Sequence, residues 1–597
     1  MLTNAFNTAT AGLQALQVAI GTVSQNVANA GVAGYTKRAV STISSGDGNS
    51  GVAATRIDRV FEEMALKQVR LETSQAAYAS VKAEILAQID KLNGKPGEST
   101  ALDARLNGFA RALQGLTTNS TSASVRNTVL TSASILADKI RSMADTLEAH
   151  RSGIEKRTAA EVSAASGLLA SIASLNVKAA ATSDNSVRAG ILDQRDGQIT
   201  QLARYMEVKQ TIQRDGSATL MTGSGLVLVD HGAAATLAFD VGAISATLPA
   251  GGRVNLDLAT IGSGSISAGV ELRDVILPRA QRRLDDLAFG LAQAFTDRNV
   301  TAVQGRTGFE LRVSDLANIK PGNTITISLG SGDAVRNVVL VASRLGAKGV
   351  DARQTVDSSA RAQTFTIPAN PATSQGYADA ISAALAVVAP SMTVATSNAG
   401  TLIFSGAGIQ GMVAAVTEPR SAGDFSGGFP RMALFVEGTG NSLVTGSLDD
   451  GSQRVGLAHR LAVNAALVAD TSPLAAVSKT SSDATGARPQ FLYDALTASK
   501  QTFSSASGVG GMIPYSATVM SFAQDVVAAA GAEAAAAKTV NEQQSAAKAD
   551  AEAWFAKGAS VNLDEEMSRL IALQTAYSAN ARVLTASREM LDLLLRA

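Results

Sequence analysis

Phe6, Ala9, Leu13, Leu16, Ile20, Val23 and Val27 follow one another in alternating steps of three and four, with Asn, Thr, Gln and Ser on most positions between. That spacing is the a/d seam of a coiled coil, a stripe that needs a partner helix along its whole length. It runs out in residues 24–38, SQNVANAGVAGYTKR, where Asn29, Gly31 and Gly34 tolerate left-handed backbone and stop a helix. The other end of the chain mirrors this pattern. Asn562 stands as an N-cap with Glu565 three residues on, and Asp564, Glu565 and Glu566 fill the first turn, where the helix dipole favours carboxylates. Leu563, Met567, Leu570, Tyr577, Ala581, Leu584, Leu591 and Leu595 then fit one seam, broken by Gln574 and Arg588. Burying a single seam does not offset the cost of ordering the backbone beneath it. Both ends are therefore expected to be mobile in a lone molecule and to order on assembly, when neighbouring copies bury their remaining faces.

Between the ends lies more helix. Phe61, Met64, Leu71, Tyr78, Ile85, Ile89 and Leu92 form one stripe, closed by Gly94 and Pro96. Leu102, Leu106, Phe109, Leu113 and Leu116 mark a shorter helix, and Val129, Leu136, Ile140, Met143 and Leu147 lie on a longer one over about 124–178. An Ala-rich helix spans about 516–557, softly interrupted at Gly531. Two regions change period. From 207 to about 258 the pattern alternates, with Asp215-Gly216 as a hairpin turn. From 319 to about 430, short β-prone runs enclose a helix at 377–388. The fold class is mainly α with β inserts: coiled-coil terminal helices, a long helical bundle body, a small β-hairpin region and an α+β outer domain. The corresponding boundaries are 1–57, 58–318, 319–430, 431–557 and 558–597.

Charge and chemistry narrow the function by exclusion. The 51 Lys and Arg balance 51 Asp and Glu, so no overall field draws the chain to nucleic acid or an anionic membrane. With no Cys there is neither a disulfide nor a thiolate metal site. His150, His231 and His459 share no metal-ligand spacing. Ser545 and Lys548 match S-x-x-K and residues 183–185 match S-D-N, but the order is reversed and Lys479-Thr480-Ser481 lacks the Gly that would complete the set. No catalytic, metal or cofactor residue is assigned, and an enzyme is not expected. The opening residues lack the basic n-region of a cleavable signal peptide, and no stretch reads as a membrane span, so no membrane insertion is expected.

The segment LQVAIGTVSQNVANAGVAGYTKR resembles the N-terminal signature of the flagellar rod, hook and hook-associated axial proteins, a helix ending in Asn-Asn-x-Ala-Asn followed by Gly-Tyr. Asn26, Ala28, Asn29, Gly34 and Tyr35 match it, while Gln25 and Ala33 replace a usual Asn and Pro. The last 35 or so residues resemble the same family's C-terminal motif. In the interior, GILDQRDGQITQL, with Asp193, Gln194, Arg195 and Asp196, and GLAHRLAVNAALVAD resemble segments of the hook-associated members. The resemblance implies a structural axial protein of the bacterial flagellum, extracellular and exported by the type III apparatus without a cleaved signal peptide. It implies a junction ring between hook and filament that self-assembles through both terminal helices. The implied partners are copies of the chain itself, the hook protein, the next hook-associated protein with the filament, and an export chaperone on the C-terminal segment around Leu584, Leu591 and Leu595. A hook or distal rod protein is the alternative within the family. An adhesin with coiled-coil ends, or an enzyme carried on the outer insert, is the alternative outside it.

On this reading Phe6, Leu13, Leu16, Ile20, Val23 and Val27, with the C-terminal seam, form the assembly interface. Asn26, Asn29, Gly31, Gly34 and Tyr35 form an elbow between the axial helix and the outer body. Asn29→Pro or Gly34→Val is expected to give soluble protein that fails to assemble; normal motility in both variants would refute the elbow.

Overall fold

The structure is a computed structural model that describes residues 2–596 except 33, 46–50, 95, 96, 331–335, 370–372, 398, 439, 477–486, 512 and 513. Pro96 and the 479–481 tripeptide therefore lie outside the described residues, as do the side chains of Leu591 and Leu595. The chain divides into two compact units, residues 1–85, 153–272 and 536–597 in the first and residues 86–152 and 273–535 in the second.

In the first unit the N-terminal helix, Leu2–Ala28, runs antiparallel to the C-terminal helix, Leu563–Arg596. The direction follows from their contacts: Gly12 faces Asn580, Gln17 Nε2 donates to the Tyr577 hydroxyl at 3.3 Å, and Asn26 meets Glu566. Each helix is thus formed and paired with the other in a single chain. An antiparallel hairpin, Arg38–Ser45 with Gly51–Arg59, packs on the N-terminal helix in the register Arg38 to Arg59 and Val40 to Ile57. This hairpin is absent from the expectations above, which gave residues 1–57 only a helix and an elbow. Helix Asn185–Leu202 follows, with Asp184 capping the amides of Ser186 and Val187 at 2.8 and 3.1 Å.

The alternating region forms two small antiparallel sheets between Val208 and Leu256, one of four strands and one of three. Gly216 takes a φ of 82° in the turn that the Asp-Gly pair marks. Leu220, Val229, Ile244 and Ala246 of these sheets pack on Val162, Leu169 and Ile172 of helix Ala123–Ala181. By length and composition this helix could cross a membrane, which differs from the expectation that no stretch would; its Val129, Leu136, Ile140, Leu169 and Ile172 are buried in protein.

The second unit is built around helix Leu277–Thr296, buried on nearly every face. Phe109, Phe295 and Phe435 form a triangle with ring centroids 5.7 to 6.2 Å apart. Two adjacent carboxylates of the same helix grip the returning chain. Asp285 accepts from the amides of Gly456 and Ala458, both at 2.9 Å, and Asp286 accepts from Arg454 at 2.8 and 3.0 Å. Beyond the helix lies a five-stranded sheet in the order Asp297–Thr301, Ile409–Thr417, Thr324–Leu329, Arg336–Ser343, Arg361–Thr366, with only the last pair parallel. A four-stranded sheet and helix Ser374–Val388 share its core through Ile325, Leu340, Tyr377, Ile381 and Phe404. The β-structure begins at Asp297, ahead of residue 319. Its first strand, DRNVT, carries one apolar side chain and gives no alternation to read.

Asp297 sits at that entry with its carboxylate buried, accepting from Thr296 and Thr417 hydroxyls at 2.9 Å and from Gln293 at 2.8 Å. Burial pushes its acid up to about 6, against the pull of these hydrogen bonds. The folded state therefore holds a proton that the unfolded chain has released, so stability falls as pH rises from about 4 to about 6 and levels off above. The loss is on the order of 2–3 kcal/mol. Thermal melts across pH 4–7 should show the second unit's transition falling over that window, and Asp297→Asn should flatten the dependence.

Candidate assembly interface and elbow

Asn26 lies at the end of the N-terminal helix with no exposed surface. Its Nδ2 donates to the Arg38 carbonyl and to Glu566 Oε2, each at 2.9 Å. Its Oδ1 accepts from the Tyr35 hydroxyl at 2.8 Å and from the Arg38 amide at 3.0 Å. Those four bonds use the full capacity of a carboxamide. They join the end of one helix, the loop that leaves it, the first residue of the hairpin and the first turn of the C-terminal helix. Glu566, also fully buried, is held on its other oxygen by Lys37 at 3.3 Å, and Lys37 reaches Glu565 at 3.0 Å. Backbone bonds complete the joint: the Lys37 amide donates to Ala559 and its carbonyl accepts from Val60.

The loop residues act as their types suggest. Asn29 bonds through both its amide and its side chain to the Gln25 carbonyl and closes the last helical turn. Gly31 and Gly34 adopt φ of 81° and 82°, and a Cβ would meet nothing at either site, so the requirement for glycine is backbone conformation alone. Tyr35 is half-buried beneath the Arg38 guanidinium, 5.0 Å from its ring. Burial raises its phenol above the ordinary value of 10, with Arg38 opposing, so it remains a hydrogen-bond donor to Asn26. Gln25 accepts from Arg38 at 3.3 Å and from the Ser186 hydroxyl at 3.0 Å.

Of the N-terminal seam, Ala9 and Val23 are buried, and Phe6, Leu13, Leu16, Ile20 and Val27 are half-buried. The C-terminal helix turns a different set inward. Glu566, Leu570, Leu573, Tyr577, Asn580, Leu584 and Ser587 repeat at steps of four and three, and each is buried or half-buried. Leu563 and Met567 lie off this stripe and are 50% and 45% exposed. A stripe read from apolar residues alone passes over Glu566, Asn580 and Ser587, three polar members of the buried face. The Asn580 side chain packs against Gly12, where a Cβ would collide with its Nδ2.

A second polar cluster lies in the same unit. Asp193 and Asp196 of the Asp-Gln-Arg-Asp motif take Arg38, Arg59 and Arg70, while Arg195 donates to Asn176 and the Gly216 carbonyl. Gln194 is exposed. Among the described residues no group of three or more His, Asp and Glu is placed to hold a metal ion.

Comparison with known proteins places these parts. Residues 86–311 match the family model described as the flagellar hook-associated protein FlgK helical domain. Residues 555–597, which hold Glu566 and the inward stripe, match the flagellar basal body rod FlgEFG protein C-terminal model. The flagellar hook-associated protein 1 of Salmonella typhimurium is 26% identical over 312 residues, 49% of this chain and 56% of that protein. That of Bacillus subtilis is 27% identical over 238 residues, 37% of this chain and 47% of that protein. That of Escherichia coli is 24% identical over 335 residues, 52% of this chain and 58% of that protein. This chain thus spans about half the length of the relatives it matches. The flagellar hook junction protein FlgK from Burkholderia pseudomallei aligns over 59% of this chain and 62% of its own, with a TM-score of 0.36 and 16% identity.

Asn26→Ala would strand the Glu566 carboxylate, the Tyr35 hydroxyl and both backbone groups of Arg38. A loss of about 3 kcal/mol or more in the first unit is expected, read as a lower midpoint in denaturant melts. Asn26→Asp should cost at least as much, because it sets a second carboxylate against Glu566.

Proposed function

We propose that this chain is a structural component of the bacterial flagellum at the junction of hook and filament, assembling through its two terminal helices. The FlgK helical-domain match favours the hook-associated class over a hook or distal rod protein. One structural observation carries the assembly reading. After the two end helices have paired, the C-terminal helix still shows Leu563, Met567 and Ile571 at 50%, 45% and 61% exposure on one flank of its inward stripe. Val583 and Met590, 50% and 49% exposed, lie on the other flank. A helix with apolar side chains on both flanks of an already filled seam is patterned for more neighbours than one molecule supplies.

In this reading copies of the chain cover those flanks in a ring, with hook protein on one side and the next hook-associated protein and filament on the other. The Asn26 joint is the elbow that turns the chain from the axial helices to the outer body. The chain travels through the type III apparatus to the cell exterior, and a chaperone covers the apolar C-terminal helix until then. The role is mechanical, with no catalytic step.

Two experiments test this. Deleting the gene should leave cells that secrete filament protein into the medium without polymerising it, and unimpaired filaments would contradict the junction role. Replacing Met567, Ile571 and Val583 together by Asp should leave the far-UV spectrum and melting of the single chain nearly unchanged and abolish complementation. Full motility from that variant would contradict the use of these flanks.

A further inference from the structure

The first unit buries more positive than negative charge. Arg38, Arg59, Arg70 and Arg195 share two carboxylates, Asp193 and Asp196, and all six side chains are 12% exposed or less. Arg59 binds both, at 3.2 and 2.7 Å, and Arg70 reaches Asp196 at 3.2 Å. Arg195 is only 3.9 Å from Asp196 through Nε, which has no hydrogen-bond partner although the side chain is 1% exposed. Neutral acceptors satisfy its other contacts, Asn176 Oδ1 at 3.1 Å and the Gly216 carbonyl at 2.8 Å. Hydrogen bonds to neutral acceptors leave the excess charge in place, and an uncompensated buried cation is costly.

Arg59, Arg70, Arg195 and Asp196 of this cluster line the floor of an open cleft of about 780 Å³. Strand Gly51–Arg59 forms one wall with the start of helix Glu63–Asn93, and helix Asn185–Leu202 with strand Val208–Ile212 forms the other. The rim adds further cations. Lys67 and Arg214 are exposed with no carboxylate partner among the described residues, and Arg188 is held only by the Asp215 carbonyl at 2.8 Å. Seven cationic side chains line the cleft against three anionic ones, in a chain whose overall charge is balanced.

We infer that this cleft binds a phosphate-bearing polyanion, with Arg195 and Arg70 at its floor and Lys67, Arg188 and Arg214 around its mouth. Guanidinium groups converging from several elements suit a tetrahedral group with three or more acceptor oxygens better than a planar carboxylate. The space admits a chain of phosphates or a phosphorylated headgroup. The inference stands independently of the assembly reading.

Calorimetric titration of the full chain with tripolyphosphate, and flotation with phosphatidylcholine vesicles with and without phosphatidic acid, separate a soluble ligand from a lipid headgroup. Saturable binding to either probe is expected. Arg188→Glu with Arg214→Glu should weaken it about tenfold or more, through lost charge-assisted bonds. Arg188→Lys with Arg214→Lys should retain most of it, and Arg344→Glu in the second unit should leave it unchanged. Lys67→Glu, on the opposite wall, carries the same expectation should the double variant melt early. Absence of saturable binding to both probes would overturn the inference, as would an equal loss from Arg344→Glu.

Discussion

A single buried carboxamide sets the geometry of both chain ends. Asn26 can satisfy its four hydrogen bonds only if the N-terminal helix stops where it does, the loop returns Arg38 beneath it, Tyr35 folds over it and Glu566 arrives from the far end of the sequence. Glu566 and the Arg38 backbone are buried and Tyr35 is half-buried, so these polar groups are costly to leave unpaired. The joint is therefore close to all-or-none. It fixes the register of the antiparallel pair at one end and leaves the rest of the pair to small residues and half-buried side chains. The charge logic is local as well: Glu566 is tolerated in the interior because Lys37 stands beside it.

From that joint the two terminal helices gain direction without gaining full cover. The Asn580 side chain lies against Gly12, and the inward stripe of the C-terminal helix is buried or half-buried. Its apolar flanks remain in solvent. The contacts that join the two helices at the Asn26 end are polar and specific, and the flanks left in solvent are apolar. The second unit uses a different device, the paired carboxylates Asp285 and Asp286, which tie the returning chain at Arg454, Gly456 and Ala458 to its central helix.

Much of this was legible in the residues. The end helices, the long stripes between them, the Asp-Gly turn and the two β regions all announce themselves by period or by turn chemistry, and Gly31 and Gly34 carry the positive φ their type suggests. The hairpin at Arg38–Ser45 and Gly51–Arg59 is marked in the sequence only by its Gly46-Asp47-Gly48 stretch, because neither flanking run alternates apolar with polar residues. The inward face of the C-terminal helix was harder. Three of its members are polar, and what makes Glu566 or Asn580 an interior residue is a partner several hundred positions away, which no local period encodes. The strand at Asp297 has the same difficulty, because neighbouring strands supply its cover.

Amide hydrogen exchange on the purified single chain, repeated after assembly, tests the central claim most directly. The account predicts protection at residues 24–38 and 559–568 already in the single chain, around the Asn26 joint. It predicts rapid exchange at residues 5–20 and 575–590 that slows sharply once copies assemble. Strong protection of residues 5–20 and 575–590 in the lone chain, unchanged by assembly, would contradict it.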